Sequence, residues 1–313
     1  MTTILLYGLI YLAVIAFVVG CVIRAVQYAR MPIHLRWELY PVPHEEARRV
    51  EHGGSYFEEV DWWEKPTHFN LAGEIRVMVP EMLFLKGLWE YNRKLWSRSF
   101  PFHFGLYLLI GCTALLVPAT LVSLVQPTWM AGSLAAAWLG LCKALGLVGS
   151  VLVILGSLGL LSRRLTDEDM KNYTTPGDIF NLLFFIVTCI LLLAGYLLSG
   201  QQFPGMLAFT QGLLTFSPSV QVPGLLAAGM ICAALLAAYI PYTHMSHFIA
   251  KYFTYHSVRW DDRVNVRGGE LAKKLAEYLT YRPTWSAPHM GADGTKTWAD
   301  VAMANPAMET KKK

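Results

Sequence analysis

Five apolar runs decide what this chain can fold into. Each is long enough to cross a hydrocarbon core of about 30 Å, which takes about 20 helical residues. Hydrophobic residues make up 54% of the chain and charged residues only 15%, as is typical of membrane proteins. Because lipid cannot satisfy backbone polar groups, we expect an all-α integral membrane protein with five transmembrane helices. The runs are Ile4–Ile23, Phe102–Val125, Leu139–Leu161, Ile179–Leu198 and Val222–Ala250.

The positions of Lys and Arg predict the orientation. Eleven lie between the first two runs, 3 between the third and fourth, and 11 after the fifth, while Lys143 lies in the third run itself. The positive-inside rule then places the N-terminus outside and the C-terminus in the cytoplasm, with the chain multi-pass in the cytoplasmic (inner) membrane. The net charge of +4 follows from this topology and gives no support to nucleic-acid binding.

The runs divide the chain into four predicted segments. Residues 1–30 form the first transmembrane helix, retained because the run has no basic segment before it and no convincing cleavage site. Residues 31–98 form a cytoplasmic segment, 99–250 a core of four helices, and 251–313 a cytoplasmic tail that binds a partner. Deep in the tail a short helix is expected around Leu271 and Leu275, and the last thirty or so residues are expected to be disordered or to lie along a partner.

An amphipathic helix is predicted between the first two runs. Pro80 suits its first turn, and Trp89 and Trp96 recur at helical spacing among Lys86 and Arg93. A basic, aromatic helix beside a membrane span is typical of one lying in the interfacial plane. A helix packed on a soluble partner has the same periodicity, so both interpretations stay open. At the start of the fourth run, Thr175 or Asp178 is expected to cap the helix.

Three histidines lie in or at the end of apolar runs. His103 is near the start of the second run, and His244 and His247 are near the end of the fifth. Ionisable groups in a membrane are costly and usually functional, and imidazole is a common ligand of haem iron. His103 and His247 fall at the same predicted depth, so a haem between them is geometrically possible, with His244 as the competing ligand. The alternative is that all three bind lipid headgroups or carbonyl groups at the interface.

The cysteines do not form an alternative metal site. All five lie in or beside the apolar runs and none forms a CxxC pair, so a usual iron–sulfur or zinc set is excluded. They are interpreted as small core residues. They are Cys21, Cys112, Cys142, Cys189 and Cys232.

Five short motifs, in order, resemble the gamma subunit of respiratory nitrate reductase, a membrane cytochrome b. They cover about residues 100–250. The long first cytoplasmic segment and a tail containing HSVRWDD are more similar to the relatives of the DsrM and TmcC type in redox complexes of sulfate reducers. The five motifs are Phe102-His103, Pro127-x-Trp129-Met130, Arg163-Arg164-Leu165, Thr174-Thr175-x-x-Asp178, and Pro241 followed six residues later by His247.

The resemblance implies cofactors and their ligands. The haem pair on the cytoplasmic side falls on His103 and His247, which implies one haem b. The outer pair falls on Thr113 and on Gly229, or on Leu225 in a shifted alignment, and none of these can bind iron. The family oxidises menaquinol near the outer haem beside a lysine early in the third span, close to Lys143. The alternative for Lys143 is a side chain that extends to the outer interface.

From the residues and the resemblance together, we expect a membrane cytochrome b subunit of a respiratory redox complex. It would pass electrons between menaquinone, or a periplasmic multihaem cytochrome c, and a cytoplasmic iron–sulfur protein resembling heterodisulfide reductase (HdrD-like). Such a chain is an electron-transfer subunit and has no predicted catalytic residue of its own. The alternative is a haem-free membrane anchor or quinone-binding subunit. A small transporter is disfavoured because no run has a broken-helix pattern or paired charges.

Overall fold

The computed structural model describes residues 3–30, 71–200, 205–259, 266–285 and 291–304. Within those ranges the chain forms helices and turns and no strand. The first part of the predicted cytoplasmic segment, residues 31–70, lies outside the described residues. The chain divides into two compact units, one of Met1–Arg24 with Ile75–His247 and the other of Ala25–Glu74 with Phe248–Lys313.

Twelve α-helices follow one another in the described ranges. Single 3₁₀ turns lie at Pro127–Ala131, Ile240–Tyr242 and His244–Ser246. The helices are α1 (Thr3–Ala29), α2 (Leu71–Leu83), α3 (Lys86–Tyr91), α4 (Arg93–Val125), α5 (Ser133–Thr166), α6 (Glu168–Lys171), α7 (Pro176–Ser199), α8 (Met206–Leu214), α9 (Gly224–Tyr239), α10 (His247–Arg259), α11 (Glu270–Leu279) and α12 (Trp298–Met303).

The five predicted membrane spans are confirmed. Helices α1, α4, α5, α7 and α9 are each long and apolar enough to cross a membrane. The fold is therefore the expected all-α, multi-pass membrane fold. Two of the helices extend well past their apolar runs: α4 begins at Arg93 and α5 extends from Ser133 to Thr166, so each carries polar turns at an end.

The helices of the core pack in antiparallel order along the chain. Helix α4 packs on α5, α5 on α7, and α7 on α9. The α4–α5 contact is close because Gly156 lies against the backbone of Phe102, where a Cβ atom would be 2.6 Å from the Phe102 Cα. Small residues at such contacts let the backbones approach, which is the usual means of helix association in lipid. A buried cluster of Val153, Phe185 and Cys189 with Leu236 fills the interior.

Helix α1 packs along the bundle through aromatic and basic side chains. The Tyr7 hydroxyl donates to the Phe209 carbonyl at 3.3 Å, and the Tyr11 hydroxyl donates to the Leu213 carbonyl at 2.7 Å. At its other end, Arg24 Nε donates to the Pro241 carbonyl at 2.9 Å. These contacts join α1 to α8 and to the segment that follows α9.

The fifth span differs from its prediction as one helix reaching Ala250. Helix α9 ends at Tyr239, two 3₁₀ turns follow, and α10 begins at His247. Pro241 explains the break, because proline has no N–H to donate and its ring clashes with the preceding turn of an α-helix. The break puts His244 and His247 in separate elements instead of on one helical face.

The amphipathic segment is also broken where one helix was predicted. Pro80 lies inside α2 and does not begin a helix. Leu85 adopts a left-handed conformation with φ of 53°, and Asn92 starts α4 by accepting a hydrogen bond from the Leu95 N–H. The aromatic positions are therefore divided, with Trp89 on α3 and Trp96 on the first turn of α4.

Two local predictions at helix ends are confirmed, and the prediction for the end of the tail stays open. Thr175 caps α7 in a reciprocal capping box with Asp178. The short helix of the tail is α11, Glu270–Leu279. Part of the last thirty residues, expected to be disordered or to lie along a partner, forms the ordered helix α12, whose Trp298 N–H donates to the Tyr281 carbonyl at 2.9 Å. That the tail lies along a partner stays a prediction. A capping box of Thr297 and Asp300 explains why so short a helix starts there.

Candidate functional site

His103 lies on α4 with its imidazole fixed by its own helix. The Nδ1 atom is 2.8 Å from the Ser99 carbonyl oxygen, one turn earlier, and the Ser99 hydroxyl is 3.2 Å from the same nitrogen. A carbonyl oxygen only accepts, so the neutral imidazole that makes this bond has its proton on Nδ1 and its lone pair on Nε2. A hydrogen bond of this kind is the usual means by which a metal-binding histidine is oriented.

His247 is held in a similar way at the start of α10. Its Nδ1 atom is 3.2 Å from the His244 carbonyl oxygen, so this imidazole also has its proton on Nδ1. The preceding break positions it, since Gly20 packs against Pro241 and Arg24 binds the Pro241 carbonyl. The side chain of His247 is exposed, whereas His103 is half-buried.

The imidazole rings of His103 and His247 lie next to each other in an edge-to-face arrangement. Their centroids are 6.1 Å apart and their planes are 69° apart. Two imidazoles on opposite sides of one metal, with metal–nitrogen distances of about 2 Å, have centroids about 6 Å apart. The spacing of the two rings therefore fits a bis-histidine haem. Within the described ranges no group of three or more His, Cys, Asp and Glu could hold a metal ion by protein ligands alone. We call this end of the bundle the histidine end.

His244 is placed differently from the other two histidines. Its Nε2 atom is 3.7 Å from Asp178 Oδ1, and Arg164 lies 3.3 Å from the same oxygen. Its side chain is 65% exposed. The structure thus brings His103 and His247 together, and it places His244 against the start of α7.

Basic side chains surround the histidine end. Arg24, Arg98, Arg163 and Arg164 all lie at the helix ends there. Just beyond α5, the Asp167 carboxylate accepts a hydrogen bond from the Met170 N–H and lies 3.4 Å from Arg163 Nε. These two contacts hold the pKa of Asp167 below its ordinary value. Asp167 therefore stays ionised and offsets part of the positive charge.

Lys143 lines a cavity of about 540 Å³ in the other half of the bundle. Its ammonium nitrogen lies 5.8 Å from the centroid of the Tyr196 ring, a cation–π distance. The other lining side chains are almost all apolar and come from α4, α5, α7, α8 and α9; they include Leu109, Cys112, Leu116, Met206 and Met230. Ser150 supplies a hydroxyl at the edge nearest the histidine end.

The cavity and the histidine pair are at different depths. Phe102 is level with Gly156, and Cys112 is level with Gly146 on the antiparallel neighbour. At 1.5 Å per residue, Lys143 lies about 18 Å from the level of His103 along the bundle, and Ser150 lies about 7 Å from that level. The cavity therefore extends most of the way from Lys143 to the depth of His103.

The positions that the resemblance assigns to an outer haem are Thr113 and either Gly229 or Leu225, and none of these residues can bind iron. The Thr113 hydroxyl donates to the Leu109 carbonyl of its own helix at 3.1 Å. A Cβ atom at Gly229 would lie 2.7 Å from the Leu192 backbone nitrogen, so α7 and α9 are in direct backbone contact there. That contact leaves no room for a ligand side chain at position 229.

The family model described as "Nitrate reductase gamma subunit" matches residues 88–263, more than half of the chain. The chain belongs to the nitrate reductase gamma subunit family. No curated protein shows a significant match to it. Membership in the gamma subunit family identifies a multi-pass membrane subunit of a redox complex, of the cytochrome b type. Family members generally bind haem b and quinone and associate with catalytic and iron–sulfur subunits.

Sequence reasoning missed three residues that shape these sites in the gamma subunit fold. Ser99 could have been found, because it lies four residues before His103 on one helix face. Tyr196 and Ser150 meet Lys143 and the cavity only through packing of separate helices. Their spacing in the sequence gives no signal for that contact.

Proposed function

We propose that this chain carries one haem b between His103 and His247 and passes electrons between menaquinone and a cytoplasmic iron–sulfur partner. The observation that carries the proposal is the pair of imidazole rings 6.1 Å apart, each with its Nδ1 on a backbone carbonyl. Bound haem would supply a one-electron redox couple that the side chains lack. His103 and His247 would be its axial ligands, and the carbonyls of Ser99 and His244 would keep both rings in the ligating tautomer.

The Lys143 cavity is the proposed menaquinone site. Its volume of about 540 Å³ and its apolar lining suit the ring of a quinone, and Lys143 can donate to a quinone oxygen. An absent outer haem would leave a gap of about 15 Å to the far surface. A quinone bound in the cavity would shorten this gap, because the edge of the cavity at Ser150 is within about 7 Å of the depth of His103.

The iron–sulfur partner is proposed to dock at the histidine end. Four arginines there give a basic surface that suits an acidic docking face. In the proposed orientation this end faces the cytoplasm and the chain is in the inner membrane. The resemblance to the DsrM and TmcC type supports a partner like heterodisulfide reductase, with a periplasmic multihaem cytochrome c as the other electron donor or acceptor.

A pyridine haemochrome assay on the purified chain tests the haem assignment. We expect one haem b per chain, lost in His103→Ala and in His247→Ala. His244→Ala is the matched control, since its side chain lies against Asp178, and it should retain the haem. A stoichiometry of two haems, or a normal spectrum in His247→Ala, would refute the ligand assignment. A purified wild-type chain without haem would favour the haem-free anchor.

A further inference from the structure

The break between α2 and α3 is held against α4 by two side-chain donors. The Tyr107 hydroxyl donates to the Met82 carbonyl at 2.7 Å, and the Trp96 indole N–H donates to the Phe84 carbonyl at 2.8 Å. The break deprives both carbonyls of the N–H that a continuous helix supplies four residues later. Side chains of α4 therefore fix where the break lies along that helix.

The hydrogen bond to Tyr107 places the end of α2 beside the apolar part of α4. Arg98 is the last Lys, Arg, Asp or Glu of α4, and Tyr107 lies about 13 Å of helix past it. A side chain on a helix points back toward the N-terminus, so the hydroxyl of Tyr107 lies at about the level of His103. The end of α2 is therefore at the boundary between hydrocarbon and headgroups, on the side of the histidine end.

Other backbone groups of this segment are also satisfied by side chains. The Gly87 N–H, in the first turn of α3, donates to Glu81 Oε2 at 2.9 Å. The Leu95 N–H, in the first turn of α4, donates to Asn92 Oδ1 at 3.0 Å. Lipid cannot satisfy backbone polar groups, so protein side chains must do so where a helix breaks at membrane depth. The pattern favours a segment in contact with lipid over one surrounded by water.

An apolar stripe on this segment is left open by the bundle. Its side chains are 41–54% exposed, and they recur at helical spacing along α2 as far as the break. An exposed apolar patch of this kind marks contact with a membrane or with a protein. Because the end of α2 lies at the depth where α4 enters the hydrocarbon, the membrane is the contact that fits. We call these residues the apolar stripe: Ile75, Val79, Met82, Leu83 and Phe84.

Aromatic and basic side chains lie on α3 and the start of α4, directly after the apolar stripe. The Trp89 and Trp96 ring centroids are 4.7 Å apart, and the Arg93 guanidinium lies 4.6 Å from the Trp89 centroid. Trp89, Arg93 and Lys94 are exposed. Residues 75–98 contain five Lys and Arg and two Glu, a net charge of +3. Tryptophan is enriched where a membrane meets water, and anionic headgroups attract basic segments there.

We propose that residues 75–98 form a binding surface for anionic phospholipid. The apolar stripe contacts the acyl chains, and Arg93 and Lys94 bind the phosphate of the headgroup. Lys86 contributes less charge because it is paired with Glu90 at 3.6 Å. Of the two interpretations of the amphipathic segment, this selects the membrane surface over a soluble partner. The proposal is independent of the haem and of the menaquinone cavity, since none of these side chains belongs to either site.

Spin labelling of the full chain in phospholipid nanodiscs, with no partner present, tests where the apolar stripe lies. A nitroxide at Leu83→Cys should collide more often with dissolved oxygen than with a water-soluble nickel complex, because oxygen concentrates in hydrocarbon. The control is a nitroxide at Tyr91→Cys, where the native side chain is 89% exposed, and it should show the greater nickel collision rate of the two. The signal from labelled native cysteines is subtracted. Equal nickel collision rates at both positions, or low rates with both reagents at Leu83→Cys, would overturn contact with lipid.

Native mass spectrometry of the delipidated full chain in detergent tests the preference for an anionic headgroup. Phosphatidylglycerol should bind more tightly than phosphatidylcholine with the same acyl chains. The double substitution Arg93→Gln with Lys94→Gln should weaken phosphatidylglycerol binding about fivefold for each charge removed and leave phosphatidylcholine binding unchanged. Lys273→Gln with Lys274→Gln removes the same charge from exposed positions on α11, and this matched control should bind phosphatidylglycerol like the wild type. Equal affinities of the two double variants, or no preference between the lipids, would overturn the anionic lipid surface.

Discussion

Gly156 on α5 lies against the backbone of Phe102 on α4, the residue directly before the proposed ligand His103. A Cβ atom added to Gly156 would lie 2.6 Å from the Phe102 Cα and 2.7 Å from its Cβ. No side chain can move to relieve the first of these contacts, because it involves the main chain. The closeness of α4 and α5 at this point therefore helps to set the depth and orientation of the His103 imidazole.

Gly156→Ala should destabilise the bundle. The methyl group would force the α4 and α5 backbones apart, and overpacking of this kind typically costs about 1–3 kcal/mol. We expect a lower Tm in detergent and weaker haem retention. Gly140→Ala on the same helix is the control, since a Cβ there meets nothing within 4 Å, and its stability should be equal to or above that of the wild type. Equal Tm values for the two variants would contradict the close contact.

The predicted orientation can be tested with a protease. The N-terminus should be outside and the tail in the cytoplasm, because the Lys and Arg residues concentrate on one side of the spans. Protease added to sealed right-side-out vesicles should leave a C-terminal tag intact, and detergent should then expose it. A tag cleaved in sealed vesicles would reverse the topology and place the histidine end outside.

Deleting residues 283–313 should weaken binding of the iron–sulfur partner. The deletion removes α12 together with the Trp285–Trp298 ring pair, whose centroids are 6.0 Å apart, and the hydrogen bond from the Trp298 N–H to the Tyr281 carbonyl. Aromatic residues of this kind often anchor interfaces. Co-purification of the partner should fall while the haem spectrum stays unchanged. Full co-purification with a lost haem would show that the tail supports the haem site.

Acid should release the turn that precedes α12. Asp293 accepts hydrogen bonds from the Thr295 hydroxyl and N–H and from the Lys296 N–H, and these lower its pKa from 3.8 to about 2. A lowered folded-state pKa means that the stabilising effect is complete above about pH 4 and is lost as the pH falls toward 2. The amide signal of Thr295 in NMR spectra should shift over that range.

Asp293→Asn is the matched variant for this titration. Its Thr295 signal should no longer shift between pH 4 and 2, because the neutral amide does not titrate. Asp300→Asn should leave that shift in place, although it removes the carboxylate that Thr297 binds at the start of α12. A titration midpoint near 4 in the wild type would contradict the hydrogen-bonded turn.

The sequence by itself determined the five spans, a cap at Thr175 or Asp178, and the three candidate histidines in or at the end of the spans. Span length is imposed by the thickness of the hydrocarbon core, and a capping box is a local pattern of residues three apart, so neither needs tertiary information. His103 could be singled out because imidazole inside an apolar helix is costly. The family motifs pointed to the same core, and the family match over residues 88–263 agrees with them.

Only the tertiary structure separates the positions of His244 and His247, because it brings His247 beside His103 and His244 beside Asp178. On one continuous helix the two residues, three apart, share a face, so the sequence left both open as ligands. Pro241 ends the helix, and the two 3₁₀ turns that follow α9 change the direction of the chain. The direction depends on the contacts that Gly20 and Arg24 make with Pro241. The cavity at Lys143 likewise combines side chains from separate helices. Their distances depend on backbone contacts such as that of Gly156 with Phe102, which residue spacing along one helix does not encode.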